Sequence, residues 1–147
     1  MPRAPDISQM SPVERAERLY DRIMRESESG NVENVRTFMP MAVAAYESIG
    51  TLSPDQRYDV GRIGIVASDT LLARAEADTI LKARPTHLLG LMLAAQAERL
   101  AKHEAKAREF DARLMKAEAN ERASNQPEYA QHANEIQAAV AAARGVR

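Results

Sequence analysis

Apolar residues recur every three or four positions along most of the chain, which is the spacing that places them on one face of an α-helix. Glycine, serine, asparagine and proline interrupt this pattern and separate the helical segments. The chain is rich in alanine and has few β-branched residues, a composition that favours helix over sheet. We therefore predict an all-α fold of seven helices. They span residues 12–29, 32–48, 54–67, 70–84, 87–101, 104–123 and 127–143.

Three of these helices begin with a capping signal. The chain reads Ser-Pro-Val-Glu at 11–14 and Ser-Pro-Asp-Gln at 53–56. In both, a serine precedes a proline in the first helical position, and Glu or Gln stands three residues after the serine. Asp69 can cap the fourth helix through its side-chain oxygen. The starts of the first, third and fourth helices are therefore predicted from local chemistry.

The fifth predicted helix is almost entirely apolar in its first half, with Leu or Met at five of the six positions 88–93. A helix that is apolar all round must be covered by neighbours on more than one side. We expect the other helices to pack around it.

Small residues also recur at a spacing of 34 residues. The small pair at 60–61 returns at 94–95, and the Ala-Arg pair at 73–74 returns at 107–108. Pro85 lies between the two copies. A period of this size, with small residues where helices approach closely, is typical of repeats made of helical hairpins.

These residues resemble the tetratricopeptide repeat family. Residues 55–118 are similar to two repeats, and residues 16–49 to a divergent third in which Ile23 and Val35 replace the small pair. The matching positions are Gly61, Ala73 and Pro85 in one repeat and Ala95 and Ala107 in the next. The resemblance implies a stack of antiparallel helical hairpins, closed by residues 127–143 as a C-terminal capping helix. A generic helical bundle is the alternative, since small and apolar residues at helical spacing occur there too.

In that family the first helix of each repeat lines a concave groove that holds a segment of another protein. The resemblance therefore implies a partner-binding groove on the first helix of each unit. Its candidate side chains are Tyr20, Met24, Tyr58, Arg62, Ile65, Leu89, Met92, Gln96 and Arg99. We call this set the predicted groove. Its apolar character and two arginines suit a segment with hydrophobic anchors and some negative charge.

Catalytic or metal-binding motifs are not apparent in the sequence. Cysteine is absent, which excludes disulfides and thiolate chemistry. His87, His103 and His132 lie in three different predicted helices, and no pair has the spacing of metal ligands. His103-Glu104 begins like a zinc-protease motif, but Ala107 takes the place of the second histidine. We predict a protein that is not an enzyme and needs neither metal nor cofactor.

The charge balance, 20 Lys+Arg against 21 Asp+Glu, does not favour nucleic-acid binding, which needs a basic surface. The apolar runs are too short to span a membrane. We expect a flexible arm at 1–10 and a single helical domain at 11–147, in the cytoplasm or as the soluble domain of a membrane-anchored protein. The function predicted is a scaffold or adaptor for a protein or peptide partner. The alternative is a fixed accessory or assembly subunit of a larger complex, such as one at a membrane.

Overall fold

A computed structural model describes residues 9–145, and every regular element in that range is an α-helix. The helices are α1 (Pro12–Glu28), α2 (Val32–Glu47), α3 (Pro54–Val66), α4 (Thr70–Ala83), α5 (Leu88–Leu100), α6 (Glu104–Ala123), α7 (Pro127–Gln131) and α8 (Ala133–Ala143). The all-α prediction is confirmed, and the first six helices match their predicted bounds within two residues. Most of the expected arm at 1–10 lies outside the described residues.

The capping bonds of Ser53 and Asp69 form as the sequence predicts, whereas at Ser11 only one of the two bonds of a capping box is present. The Ser11 hydroxyl accepts a hydrogen bond from the Glu14 amide at 3.2 Å. Ser53 and Gln56 form a reciprocal capping box, in which each side chain accepts from the backbone amide of the other residue. Asp69 accepts from the Leu72 amide at 3.0 Å. These bonds satisfy amides that have no partner within their own helix.

The last predicted helix, residues 127–143, is wrong as a single element. His132 has φ −116° and ψ 25°, which ends α7, and its carbonyl accepts from the Ile136 amide in the first turn of α8. The break coincides with a tertiary contact, because the His132 ring is bound by Asp55, 77 positions earlier in the chain. Local propensity alone gives no reason to interrupt the helix here.

Contacts divide the chain into two compact units, Met1–Leu52 and Ser53–Arg147, whereas the sequence suggests one domain over 11–147. The first unit contains α1 and α2, which pack against each other as a hairpin. Ile23 of α1 and Val35 of α2 are both buried. They contribute apolar bulk to the core of this hairpin.

The second unit contains α3 to α8. Consecutive helices from α3 to α6 pack against one another in chain order, and α8 packs on α6. Helix α5 contacts α3, α4, α6 and α8, and all of its side chains from 88 to 95 are buried. The prediction that the apolar fifth helix is covered on several sides is confirmed.

Small residues mark the closest approach of α3 and α4. A β-carbon added at Gly64 would lie 2.9 Å from the backbone nitrogen of Ala73, which is too close for any real side chain. Ala73 and Ala107, which is 34 positions later, are both completely buried. At Ala73 the close approach of Gly64 leaves little room for a larger side chain.

We expect Ala73→Leu to lower the free energy of unfolding by about 1–3 kcal/mol, because three added carbons must fit against the backbone of α3. Ala75→Leu, at an exposed position of the same helix, is the matched control and should change stability by less than about 0.5 kcal/mol. Urea denaturation of both variants measures this. Equal midpoints for Ala73→Leu and the wild-type chain would contradict the close contact.

Candidate functional site

In the second unit the predicted groove is only partly accessible. Tyr58, Leu89 and Met92 are 1%, 0% and 2% exposed, so their side chains offer little surface to a partner in the free chain. Arg62 and Gln96 are half-buried and hydrogen-bonded to each other. Ile65 is half-buried and packs on the apolar core, and Arg99 is exposed.

Helix α8 explains part of this burial. The Tyr58 hydroxyl donates a hydrogen bond to the Glu135 carboxylate of α8 at 2.7 Å. The Tyr58 ring also meets the His132 ring edge to face, with centroids 4.9 Å apart. Leu89 and Met92 lie on α5, which is surrounded by four helices. The C-terminal segment thus covers the face of α3 and α5 that the sequence leaves open.

An open cleft of about 310 Å³ remains beside this covered face. Its lining residues come from α3, α5 and α8, and we call it the α3–α5–α8 cleft. They are Tyr58, Arg62, Met92, Gln96, Glu135, Ala138 and Ala139. At its edge the Arg62 guanidinium donates to the Gln96 side-chain oxygen at 3.1 Å. Four of the nine predicted groove residues therefore line one cleft.

Arg99 does not join this cleft. Its guanidinium pairs with Asp111 of α6 and lies 3.4 Å from the Glu104 carboxylate. Acidic side chains of α6 thus bind Arg99, whereas Arg62 lines the cleft. That both arginines contact one partner segment stays a prediction.

Tyr20 and Met24, the remaining members of the predicted groove, belong to α1 in the first unit. Both are half-buried there. On the same helix the Arg22 guanidinium lies over the Phe38 ring of α2 at 4.4 Å, a cation–π contact within the hairpin.

A charged joint connects α3 to the junction of α7 and α8. The His132 Nε2 atom lies 2.5 Å from the Asp55 carboxylate, and Nδ1 lies 2.9 Å from the Glu135 carboxylate. Burial alone would lower the pKa of the His132 ring, but the bonds to Glu135 and Asp55 outweigh it and raise that pKa to about 9. At neutral pH the ring is therefore an imidazolium held between two carboxylates.

A second polar cluster ties α6 to α7 and to the start of α5. Glu121 is 5% exposed and accepts hydrogen bonds from Arg84 at 2.9 Å, Thr86 at 2.7 Å and Tyr129 at 2.6 Å. Burial would raise the pKa of this carboxyl, yet these three donors hold it below its usual value. The Tyr129 hydroxyl in turn accepts from the Leu88 amide at the first turn of α5. The buried Glu121 carboxylate of α6 is thus hydrogen-bonded to the segment before α5 and to α7.

This cluster lies beside a cavity of about 430 Å³ between α5, α6 and the turn that precedes α5. The cavity is lined by Pro85, Thr86, Leu91, Arg113, Lys116, Ala117, Asn120 and Glu121. Its carboxylate already accepts three hydrogen bonds, so it is not poised to take a proton from a substrate. Arg113, a cationic side chain that lines the cavity, donates a hydrogen bond to the Pro85 carbonyl at 3.0 Å.

No motif in the sequence indicates the residues in these two clusters. His132 binds both Asp55, 77 positions earlier, and Glu135. Glu121 binds Tyr129, Thr86 and Arg84, which are 8, 35 and 37 positions away. In the sequence, charged side chains such as these also follow the pattern of a solvated surface.

Comparison with family models, with curated proteins and with solved structures found no match to this chain. The resemblance to tetratricopeptide repeats therefore stays a prediction. Among the helices at 9–145, none has the length and apolar character needed to cross a membrane.

The charged joint predicts a pH-dependent contribution to stability. The folded-state pKa of His132, about 9, exceeds its ordinary value of 6.5. The stabilisation is therefore complete below about pH 6.5 and is lost as the pH rises through 9. Replacing His132 with Gln should lower the melting temperature clearly at pH 6 and much less at pH 10.

Melting curves followed by circular dichroism between pH 6 and pH 10 test this expectation. Asn134→Ala, at an exposed position of α8, is the control and should follow the wild-type chain at every pH. A difference between His132→Gln and wild type that stays constant over this range would mean that the imidazolium does not stabilise the joint.

Proposed function

We propose that the second unit is a non-enzymatic protein-interaction module, built as a stack of tetratricopeptide-like hairpins. In this proposal the α3–α5–α8 cleft receives an anchoring side chain from a partner segment. Helix α8 is a fixed wall of the cleft and belongs to the binding surface.

The hydrogen bond between Arg62 and Gln96 is the observation that carries this proposal. The two residues are 34 positions apart, which is the repeat spacing found in the sequence. Equivalent positions of α3 and α5 therefore lie side by side, as expected for the first helices of successive repeats. Stacked hairpins of this kind commonly present a surface to another protein.

The size and chemistry of the cleft limit what it can hold. A volume of about 310 Å³ is at the small end of ligand pockets, which suits one bulky side chain better than a whole helix. Met92 and Ala139 provide an apolar wall, while Arg62 and Gln96 offer hydrogen-bond donors at the rim. A partner segment with an apolar anchor next to an acidic residue would satisfy both parts.

The charged groups near the cleft support binding over catalysis. Glu135 accepts hydrogen bonds from Tyr58 and His132, which together with Arg62 hold its pKa below the usual value. A carboxylate held in its ionised form by such neighbours is a weak proton acceptor. Its role in this proposal is to keep the α8 wall in place.

The test begins with capture of partners from the native source and their identification by mass spectrometry. A peptide that covers the bound segment is then titrated against wild-type protein and two variants of the cleft. Arg62→Glu reverses the charge at the rim, and Ala139→Phe fills the cleft. Each should weaken binding at least tenfold, about 1.4 kcal/mol.

Arg108→Glu is the matched control, because Arg108 is an exposed arginine of α6 outside the cleft. Arg99 is unsuitable as a control, since its reversal would also break the pairing of α5 with α6. If both cleft variants bind like wild type while their melting temperatures are unchanged, the cleft is not the working surface. A partner that then co-purifies in a fixed ratio would favour the accessory-subunit function.

A further inference from the structure

Two aspartates of α3 and one histidine from the α7–α8 junction converge at one edge of the second unit. Asp55 and Asp59 are four residues apart and therefore lie on the same face of α3. His132 approaches this face from the other element. One ligand atom from each of the three side chains lies within 4.8 Å of the other two, and all three residues are half-buried.

We propose that Asp55, Asp59 and His132 bind a divalent transition-metal cation of the zinc type. Imidazole nitrogen with two carboxylate oxygens is a donor set that suits Zn²⁺ and Co²⁺. Mg²⁺ and Ca²⁺ prefer sites made of oxygen alone. Three protein ligands leave a fourth position of a tetrahedral ion for water.

The orientation of the His132 ring supports this assignment. Its Nε2 atom faces Asp55, while Nδ1 is hydrogen-bonded to Glu135, which also accepts from Tyr58. Histidines that bind metals almost always use their second nitrogen in such a bond to a carboxylate, which fixes the ring. The cation would take the place of the proton that now lies between His132 and Asp55.

The spacing requires a modest adjustment. Bonds of about 2.0–2.2 Å to a tetrahedral zinc ion place its ligand atoms about 3.3–3.6 Å apart. The three ligand atoms lie within 4.8 Å of one another, so the widest separation has to close by about 1 Å, which rotation of the carboxylate side chains can provide. The bound ion would link α3 to the segment that covers it, and would therefore stabilise the folded chain by mass action.

Asp59 distinguishes a metal site from a purely structural ion pair. The hydrogen bonds of the His132 ring go to Asp55 and Glu135. Asp59→Asn therefore leaves both of these bonds in place and removes one proposed metal ligand. If the joint is only a structural ion pair and not a metal site, the wild-type chain and Asp59→Asn should not differ in cation binding.

Isothermal titration of the full chain with zinc chloride tests the proposal, together with the melting temperature with and without zinc. We expect one ion per chain and a higher melting temperature with zinc. Asp59→Asn should weaken binding at least tenfold, and His132→Gln should abolish it. His103→Gln, which removes an exposed histidine elsewhere, is the matched control and should bind like wild type.

Visible absorption of the cobalt(II) complex provides a second readout, since tetrahedral cobalt absorbs far more strongly than the hydrated ion. The absence of saturable zinc binding at millimolar concentration would overturn the proposal. So would equal binding by wild type, Asp59→Asn and His132→Gln, because the ion would then lie elsewhere on the surface. Loss of binding in His103→Gln alone would have the same meaning.

Discussion

The burial of helix α5 is the constraint on which the second unit depends. Its first eight side chains are all apolar or small, so the helix is stable only where neighbours exclude water on every side. Four helices provide that cover: α3, α4 and α6 pack in chain order with α5, and α8 returns to pack on α5 and α6. Small residues are needed where α3 and α4 approach each other, because a larger side chain at Gly64 would meet backbone.

Covering α5 also limits how the second unit can bind a partner. Without α8 the apolar face of α3 and α5 would be available to another protein, but exposing Leu89 and Met92 would cost several kcal/mol in the free chain. Helix α8 removes that cost by packing on α5 and by accepting a hydrogen bond from Tyr58 of α3. What stays open is the cleft beside it, which Arg62 and Gln96 line. The predicted groove and the observed cleft thus share four residues.

The features that sequence reasoning recovered are those determined within one or two helical turns. The caps at Ser11, Ser53 and Asp69 follow from side chains three residues from the amides they bind. The central position of α5 follows from its own composition. The break at His132 could not be predicted in this way, because no local signal marks it, and the contact made by this residue is with Asp55, 77 positions away. The pairing of Arg99 with Asp111 could not be predicted either, because nothing local to Asp111 in the sequence distinguishes it from other carboxylates. Charged side chains carry no period that identifies their partners, whereas apolar ones do.

The attachment of α8 combines few apolar contacts with several polar ones. Ile136 and Val140 are its fully buried side chains, and each contributes about 1.5–3 kcal/mol when removed from water. Alanine at most other positions adds little area, so the polar contacts at the start of the helix, made by His132 and Glu135, have comparable weight. These contacts lie at the edge of the cleft and share Tyr58 and Glu135 with its lining. Any ion or partner group that changes the charge there therefore acts on the position of α8 and on the shape of the cleft together.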